Sequence, residues 1–92
     1  MRPSPTPQPA LGRAVGLRRR ERGLSQEELA DAATVDERTI RGIERGSANP
    51  TWDVADRIAR ALGCSLWELA KLADELETED RRPTDEPLPP RD

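Results

Sequence analysis

The sequence predicts an all-α fold, a compact bundle of five helices with disordered proline-rich tails at both ends. Apolar residues recur at helical spacing through the middle of the chain, and capping residues precede several of these runs. Prolines crowd residues 1–10 and 77–92, where few apolar residues are available to offset the entropy of ordering. The expected organisation is therefore an arm over 1–10, a folded domain over 11–76 and an acidic tail over 77–92.

The first helix is expected over about 11–22, with Gly23 as the residue that ends it. Gly16 lies inside this helix and weakens it by about 1 kcal/mol relative to alanine. The inward face of the helix is thin and consists of Leu11, Ala14 and Val15.

Two short helices with a tight turn between them are expected over about 25–33 and 36–45. Ser25 with Glu28 three residues later forms a capping-box pattern, and Asp36 is a second helix cap. Apolar spacing indicates that the two helices pack across each other.

Two further helices follow, one from the cap Thr51 to Leu62 and one from Ser65, where Glu68 completes another capping box. The expected inward residues of the fourth helix are Trp52, Ala55, Ile58, Ala59 and Leu62. The fifth helix continues through Leu72 to Leu76, and its expected inward stripe is Leu66, Leu69 and either Leu72 or Ala73.

The outer side of the third helix carries Glu37, Arg38 and Arg41, which we interpret as readers of base edges in a DNA major groove. Arginine pairs with guanine through two hydrogen bonds, and glutamate accepts a hydrogen bond from cytosine. The alternative is a solvated helix face held by ion pairs three or four residues apart. Gly42 either lets the backbone approach DNA closely or is a tolerated weak helix residue.

A longer pattern surrounds these helices. Its matching positions are Arg19-x-x-x-Gly23-Leu24-Ser25-Gln26-Glu27-Glu28-Leu29-Ala30, Thr39-Ile40-x-x-Ile43-Glu44-Arg45-Gly46, Asn49-Pro50 and Gly63-Cys64-Ser65-Leu66. Over about residues 11–70 the chain resembles the Cro/repressor-type (XRE-like) helix-turn-helix family. One departure is Thr34, at a turn position that this family often fills with glycine; a β-branched residue there is strained if its φ is positive.

The resemblance implies a repressor-like DNA-binding domain whose recognition helix, about 36–45, enters the major groove. It also implies that a second set of residues contacts the DNA backbone and sets the register; these residues are Ser25, Gln26, Thr39, Arg45 and Asn49. Arg19 and Glu44 are implied to form a structural ion pair that ties the first helix to the end of the third.

Trp67 stands off the apolar stripe of the fifth helix. It either folds over the fourth helix as a lid or, with Leu76, forms a homodimer contact. A dimer would double the short DNA site that one small domain can read.

The chain has 92 residues, a net charge of -3, no histidine, no tyrosine and one cysteine, so neither catalysis nor a metal or other cofactor is expected. No run of apolar residues is long enough to span a membrane, and a cytoplasmic, nucleoid-associated location is expected. Charge is uneven, because residues 1–50 hold nine arginines against seven acidic residues while residues 51–92 hold six basic against eleven acidic residues.

The sequence therefore predicts a sequence-specific DNA-binding transcriptional regulator, and symmetry favours a dimer. An alternative is a protein-interaction adaptor or antitoxin on the same scaffold with weak DNA binding. It is supported by the acidic balance and by the acidic tail, which would bind a protein partner.

Overall fold

Five helices make up the regular structure of residues 9–81, the part of the chain that the computed structural model describes. They are α1 (Pro9–Glu21), α2 (Gln26–Ala33), α3 (Glu37–Arg45), α4 (Trp52–Ala61) and α5 (Leu66–Arg81). The described residues contain no strand, so the prediction of an all-α, five-helix domain is confirmed. No helix among them is long and apolar enough to cross a membrane.

The capping residues predicted from the sequence begin the helices as expected. The Ser25 hydroxyl accepts a hydrogen bond from the Glu28 amide at 3.0 Å, and the Glu28 carboxylate accepts one from the Ser25 amide at 2.8 Å. Ser65 and Glu68 repeat this capping box with the same two distances. Asp36 caps α3 by accepting from the Arg38 amide at 2.9 Å. A cap of this kind stabilises a helix by about 1 kcal/mol.

All five helices contribute side chains to the core. Helix α1 packs against both α3 and α5, while α2 packs against α3 and α4. The largest fully buried side chains are Val15, Leu29, Ile40, Ile43, Ile58 and Leu69. Because α3 contributes two of these isoleucines, one face of that short helix is fixed to the body of the domain.

Glycine allows α1 to approach α3 unusually closely. A Cβ atom on Gly12 would clash with the Ile43 carbonyl oxygen and would lie 3.0 Å from the Glu44 Cα. One turn later, a Cβ on Gly16 would meet only side-chain ends, at 3.2 Å and more. The packing of α1 on α3 therefore requires glycine at position 12. This requirement was not predicted from the sequence, in which only the helix-weakening effect of Gly16 was noted.

The prediction that Trp52 faces the core is wrong. Its side chain is 82% exposed, although Thr51 caps α4 as expected and Ala55 and Ile58 are buried. Trp52 is the first residue of α4, a helix that packs against α2 and α5. The apolar stripe of α4 therefore begins at Val54 and Ala55.

The lid predicted as one reading of Trp67 is also wrong, because this side chain is 73% exposed. Leu69 is fully buried, and Leu76 is half-buried against the core.

The first and last helices extend past the range 11–76 that was predicted for the folded domain. Helix α1 begins two residues before the predicted boundary at 11, and α5 continues five residues beyond 76. Residues 77–81 hold no proline, whereas Pro83 disfavours helical backbone at the residue before it. The rest of the predicted arm (1–8) and tail (82–92) lies outside the described residues.

Candidate nucleic-acid interface

The turn between α2 and α3 places the recognition helix. Thr34 adopts φ 60° and ψ 49° and is the one non-glycine residue with positive φ among residues 9–81. The Val35 amide donates to the Ala30 carbonyl at 2.9 Å, which closes the end of α2. The expectation of a strained turn at Thr34 is thus confirmed: a β-branched residue occupies a backbone conformation that favours glycine.

Helix α3 presents two different faces. Ile40 and Ile43 are fully buried, whereas Arg38 and Arg41 are exposed. Glu37 lies on the same outer side and is half-buried. The two arginines therefore do not pack into the body of the domain, and their guanidinium groups are accessible to a ligand.

An ion pair joins two of the predicted base-reading residues. Arg41 Nη2 lies 2.8 Å from Glu37 Oε2, one helical turn away, and the two side chains are 52% and 36% exposed. This is the contact that the solvated-face interpretation predicted. An exposed pair of this kind is worth less than about 1 kcal/mol, so a nucleic-acid ligand can replace it at low cost.

Arg19 and Glu44 form a bidentate ion pair that ties α1 to the end of α3. Arg19 Nε donates to Glu44 Oε2 at 2.7 Å and Nη2 donates to Oε1 at 3.1 Å, with side chains only 13% and 11% exposed. Arg19 Nη1 also donates to the Leu24 carbonyl at 2.9 Å. The hydrogen bond to Glu44 raises the pKa of the guanidinium, burial opposes this shift, and attraction to the carboxylate adds to it.

Gln26 belongs to the same network. Its Nε2 donates to Glu44 Oε1 at 3.0 Å, so the first residue of α2 is joined to the end of α3. Glu44 thereby accepts hydrogen bonds from two helices, and its charge is balanced by Arg19. A neutralised carboxylate does not repel a phosphate placed near Gln26.

The loop after α3 packs back onto the helix. The Ser47 hydroxyl donates to the Gly42 carbonyl at 3.3 Å, and Arg45 Nε donates to the Ser47 oxygen at 3.4 Å. A Cβ on Gly42 would lie 3.3 Å from the Ala48 Cβ. Gly42 is buried against this loop, so the interpretation that it serves close approach to DNA is wrong.

The remaining predicted backbone-contact residues are Ser25, Thr39 and Asn49. Ser25 and Asn49 are exposed, and Thr39 is half-buried. The Ser25 hydroxyl already accepts the capping hydrogen bond and retains its own proton for a ligand. The predicted residues therefore lie on α2, on α3 and on the loop that follows α3.

A residue of α4, which was not among the predicted site residues, touches the turn. Arg57 Nη1 donates to the Thr34 carbonyl at 2.9 Å. Spacing alone indicates a pair between Asp53 and Arg57, four residues apart on one helix. The contact with Thr34, 23 residues away in the chain, has no local signal.

A capped helix, a tight turn and a second helix with arginines on its outer face define a helix-turn-helix DNA-binding domain. The sequence profile of the helix-turn-helix family matches residues 16–69, and the chain belongs to this family.

Similar proteins carry regulator names. An uncharacterized HTH-type transcriptional regulator of Methanothermobacter thermautotrophicus is 51% identical over 45 residues, covering 49% of this chain and 65% of that protein. The chain thus spans slightly less than two thirds of this relative's length.

Two solved structures share the fold. The clp gene regulator ClgR of Corynebacterium glutamicum superposes with a TM-score of 0.79 at 26% identity, covering 87% of this chain and 85% of the other. The restriction-modification controller protein C.AhdI of Aeromonas hydrophila gives 0.64 at 33% identity, covering 65% and 91%. The domain is therefore one that transcriptional regulators use.

Proposed function

We propose that this protein is a sequence-specific DNA-binding transcriptional regulator that inserts α3 into the major groove. The observation that carries the proposal is the exposure of Arg38 and Arg41 opposite the buried Ile40 and Ile43. A helix held on one face and bearing exposed guanidinium groups on the other has the geometry of a major-groove reader.

Arg38 and Arg41 are assigned to guanine, where a guanidinium donates two hydrogen bonds to O6 and N7. Glu37 is assigned to cytosine N4. Because Arg41 is paired with Glu37 in the free protein, binding exchanges one exposed ion pair for contacts to the two bases of a pair or of neighbouring pairs. At a mismatched site Arg41 and Glu37 would lose their ion pair without both gaining a base contact. This cost favours the matching DNA sequence over others.

The DNA backbone contacts are assigned to residues that flank the recognition helix: Ser25, Gln26, Thr39, Arg45 and Asn49. Gln26 is supported by its place at the first residue of α2, where free amides favour an anion. Its hydrogen bond to Glu44 uses one of the two amide protons and leaves the other for a phosphate oxygen.

A homodimer through α5 is the proposed assembly. Trp67 supports it: its side chain is 73% exposed, and pairing would remove much of this apolar surface from water. Leu76 is half-buried and contributes only its outer edge. Sedimentation of the wild-type protein and of Trp67→Ala tests this contact, and a wild-type monomer at high concentration would remove the proposal.

The DNA-binding proposal is tested by selecting bound fragments from a random library and then titrating the selected site. The double variant Arg38→Ala, Arg41→Ala is expected to lose the preference for the selected site while its helical circular dichroism is unchanged. A control variant, Arg60→Ala with Asp56 left in place, removes an exposed arginine from α4. Equal selectivity of the double variant and the wild type would contradict the assignment.

The adaptor or antitoxin function is a second candidate, supported by exposed carboxylates along α5 at Asp74, Glu75 and Glu77. A wild-type protein that retains no fragment above background at low salt, but binds a basic protein partner through α5, would favour this candidate.

A further inference from the structure

Arg57 joins α4 to the turn that precedes the recognition helix. Its Nη1 donates to the Thr34 carbonyl at 2.9 Å, while Nε and Nη2 donate to Asp53 Oδ2 at 3.2 and 2.7 Å. The guanidinium thus uses one edge for a carboxylate on its own helix and another nitrogen for the turn. Asp53 holds the rigid fork in the orientation that reaches Thr34.

The turn is a place where such a contact matters. Thr34 holds a left-handed backbone conformation without being glycine, and residues held in this way persist when their surroundings determine them. Three residues later α3 begins, and its principal partners are α1 and α2. The hydrogen bond from Arg57 therefore links a side chain of α4 to the turn at Thr34, which sets the direction of α3.

We propose that Arg57, oriented by Asp53, is a positioning residue for the recognition helix. The inference rests on the proposed DNA-binding function. By donating a charge-assisted hydrogen bond to the Thr34 carbonyl, Arg57 maintains the turn in one conformation and holds α3 ready for the groove. Without this hydrogen bond, DNA binding must also order the turn, and the entropy lost in doing so lowers the affinity.

A direct contact between Arg57 and a DNA phosphate is the competing explanation, and charge separates the two. Arg57→Ala lowers the net charge by one, whereas Asp53→Ala raises it by one. If Arg57 acts through charge, these variants change affinity in opposite directions. If it positions the turn, both weaken binding, because each one removes part of the same contact.

Arg60 provides a matched control on the same helix. It pairs with Asp56 at 3.0 Å, also four residues apart, and is 75% exposed. Arg60→Ala therefore removes the same charge and the same type of pair but leaves the hydrogen bond between Arg57 and Thr34 in place. We expect Arg57→Ala to weaken binding to the selected site by about threefold to tenfold, and Arg60→Ala by less than about twofold.

The salt dependence adds an independent readout. A lost phosphate contact reduces the slope of log K against log salt by about 0.9, whereas a positioning residue leaves the slope unchanged. Binding of Arg57→Ala within twofold of wild type, a reduced slope, or tighter binding by Asp53→Ala would each overturn the proposal.

Amide hydrogen exchange tests the turn without DNA. The Val35 amide, bonded to the Ala30 carbonyl, is expected to exchange faster in Arg57→Ala than in wild type or Arg60→Ala. If the wild type binds no DNA selectively, the proposed function fails. Faster Val35 exchange would then still support the link between α4 and the turn, and unchanged exchange would overturn it.

Discussion

Replacing Gly12 with alanine adds one methyl group at the point where α1 crosses α3. The new Cβ would clash with the Ile43 carbonyl oxygen and would lie 3.0 Å from the Glu44 Cα. Both neighbours are backbone atoms, so no side-chain rotation relieves the contact. The two helices must separate, which loosens the packing of Val15 and Ile43 in the core.

The magnitude follows from two opposing effects. Inserting a methyl group into a packed region costs about 1–3 kcal/mol, and a backbone contact this short belongs at the upper end of that range. Alanine in a helix interior is favoured over glycine by about 1 kcal/mol. The net loss of unfolding free energy is about 2 kcal/mol, which lowers the Tm of a domain this size by roughly 8–16 °C.

Gly16→Ala is the matched control, in the same helix with the same chemical change. Its new Cβ would meet Arg20 Nη1 at 3.2 Å and Glu44 Oε1 at 3.4 Å, both side-chain atoms rather than backbone atoms. We expect its Tm to equal or exceed that of the wild type, since the helix-propensity gain of up to about 1 kcal/mol remains. Thermal unfolding followed by circular dichroism at 222 nm measures both variants. If Gly12→Ala unfolds at or above the temperature of Gly16→Ala, the close approach of α1 to α3 is incorrect.

Three further predictions concern the ion pair, the turn and the cysteine. Glu44→Gln leaves the Arg19 guanidinium without its counter-charge and should lower the unfolding free energy by about 1–3 kcal/mol in urea titrations; an unchanged value would show that the pair is effectively solvated. Thr34→Gly relieves about 1–2 kcal/mol of strain in the left-handed backbone, but the added entropy of glycine stabilises the unfolded state by about 0.5–1 kcal/mol. The same titration should therefore give an equal or slightly higher unfolding free energy. A clear loss would indicate that the threonine side chain stabilises the turn. Burial raises the pKa of the Cys64 thiol, an effect that nearby Arg18 opposes. Alkylation by iodoacetamide at pH 8 should therefore be slower in the folded protein than in urea, and equal rates would contradict the burial.

Helix ends were predictable because their causes are local. Ser25 with Glu28 and Ser65 with Glu68 each lie within one helical turn, so the sequence spacing alone specifies the capping box. Thr34 was likewise recognisable as a strained position from the family pattern. The failure at Trp52 has the opposite cause: helical spacing indicates a face, but not whether a neighbouring helix extends far enough to cover its first residue.

The candidate site divides in the same way. Glu37, Arg38 and Arg41 were selected from their spacing, and the structure leaves both arginines exposed. Their DNA contacts remain predictions. The links from Gln26 to Glu44 and from Arg57 to Thr34 join residues 18 and 23 positions apart, and no pattern along the chain specifies such pairs.

The amino-acid sequence by itself determined that this chain forms capped, amphipathic helices with a turn between the second and third, because caps, turns and apolar stripes depend on residues a few positions apart. Only the tertiary structure decided how closely those helices approach, which polar groups meet across them and which large apolar residues stay in water. Gly12 under the Ile43 carbonyl and Arg57 on the Thr34 carbonyl are both products of the crossing of helices distant in the chain. The physical reason is that packing depends on the relative positions of whole helices, which short-range sequence patterns do not encode.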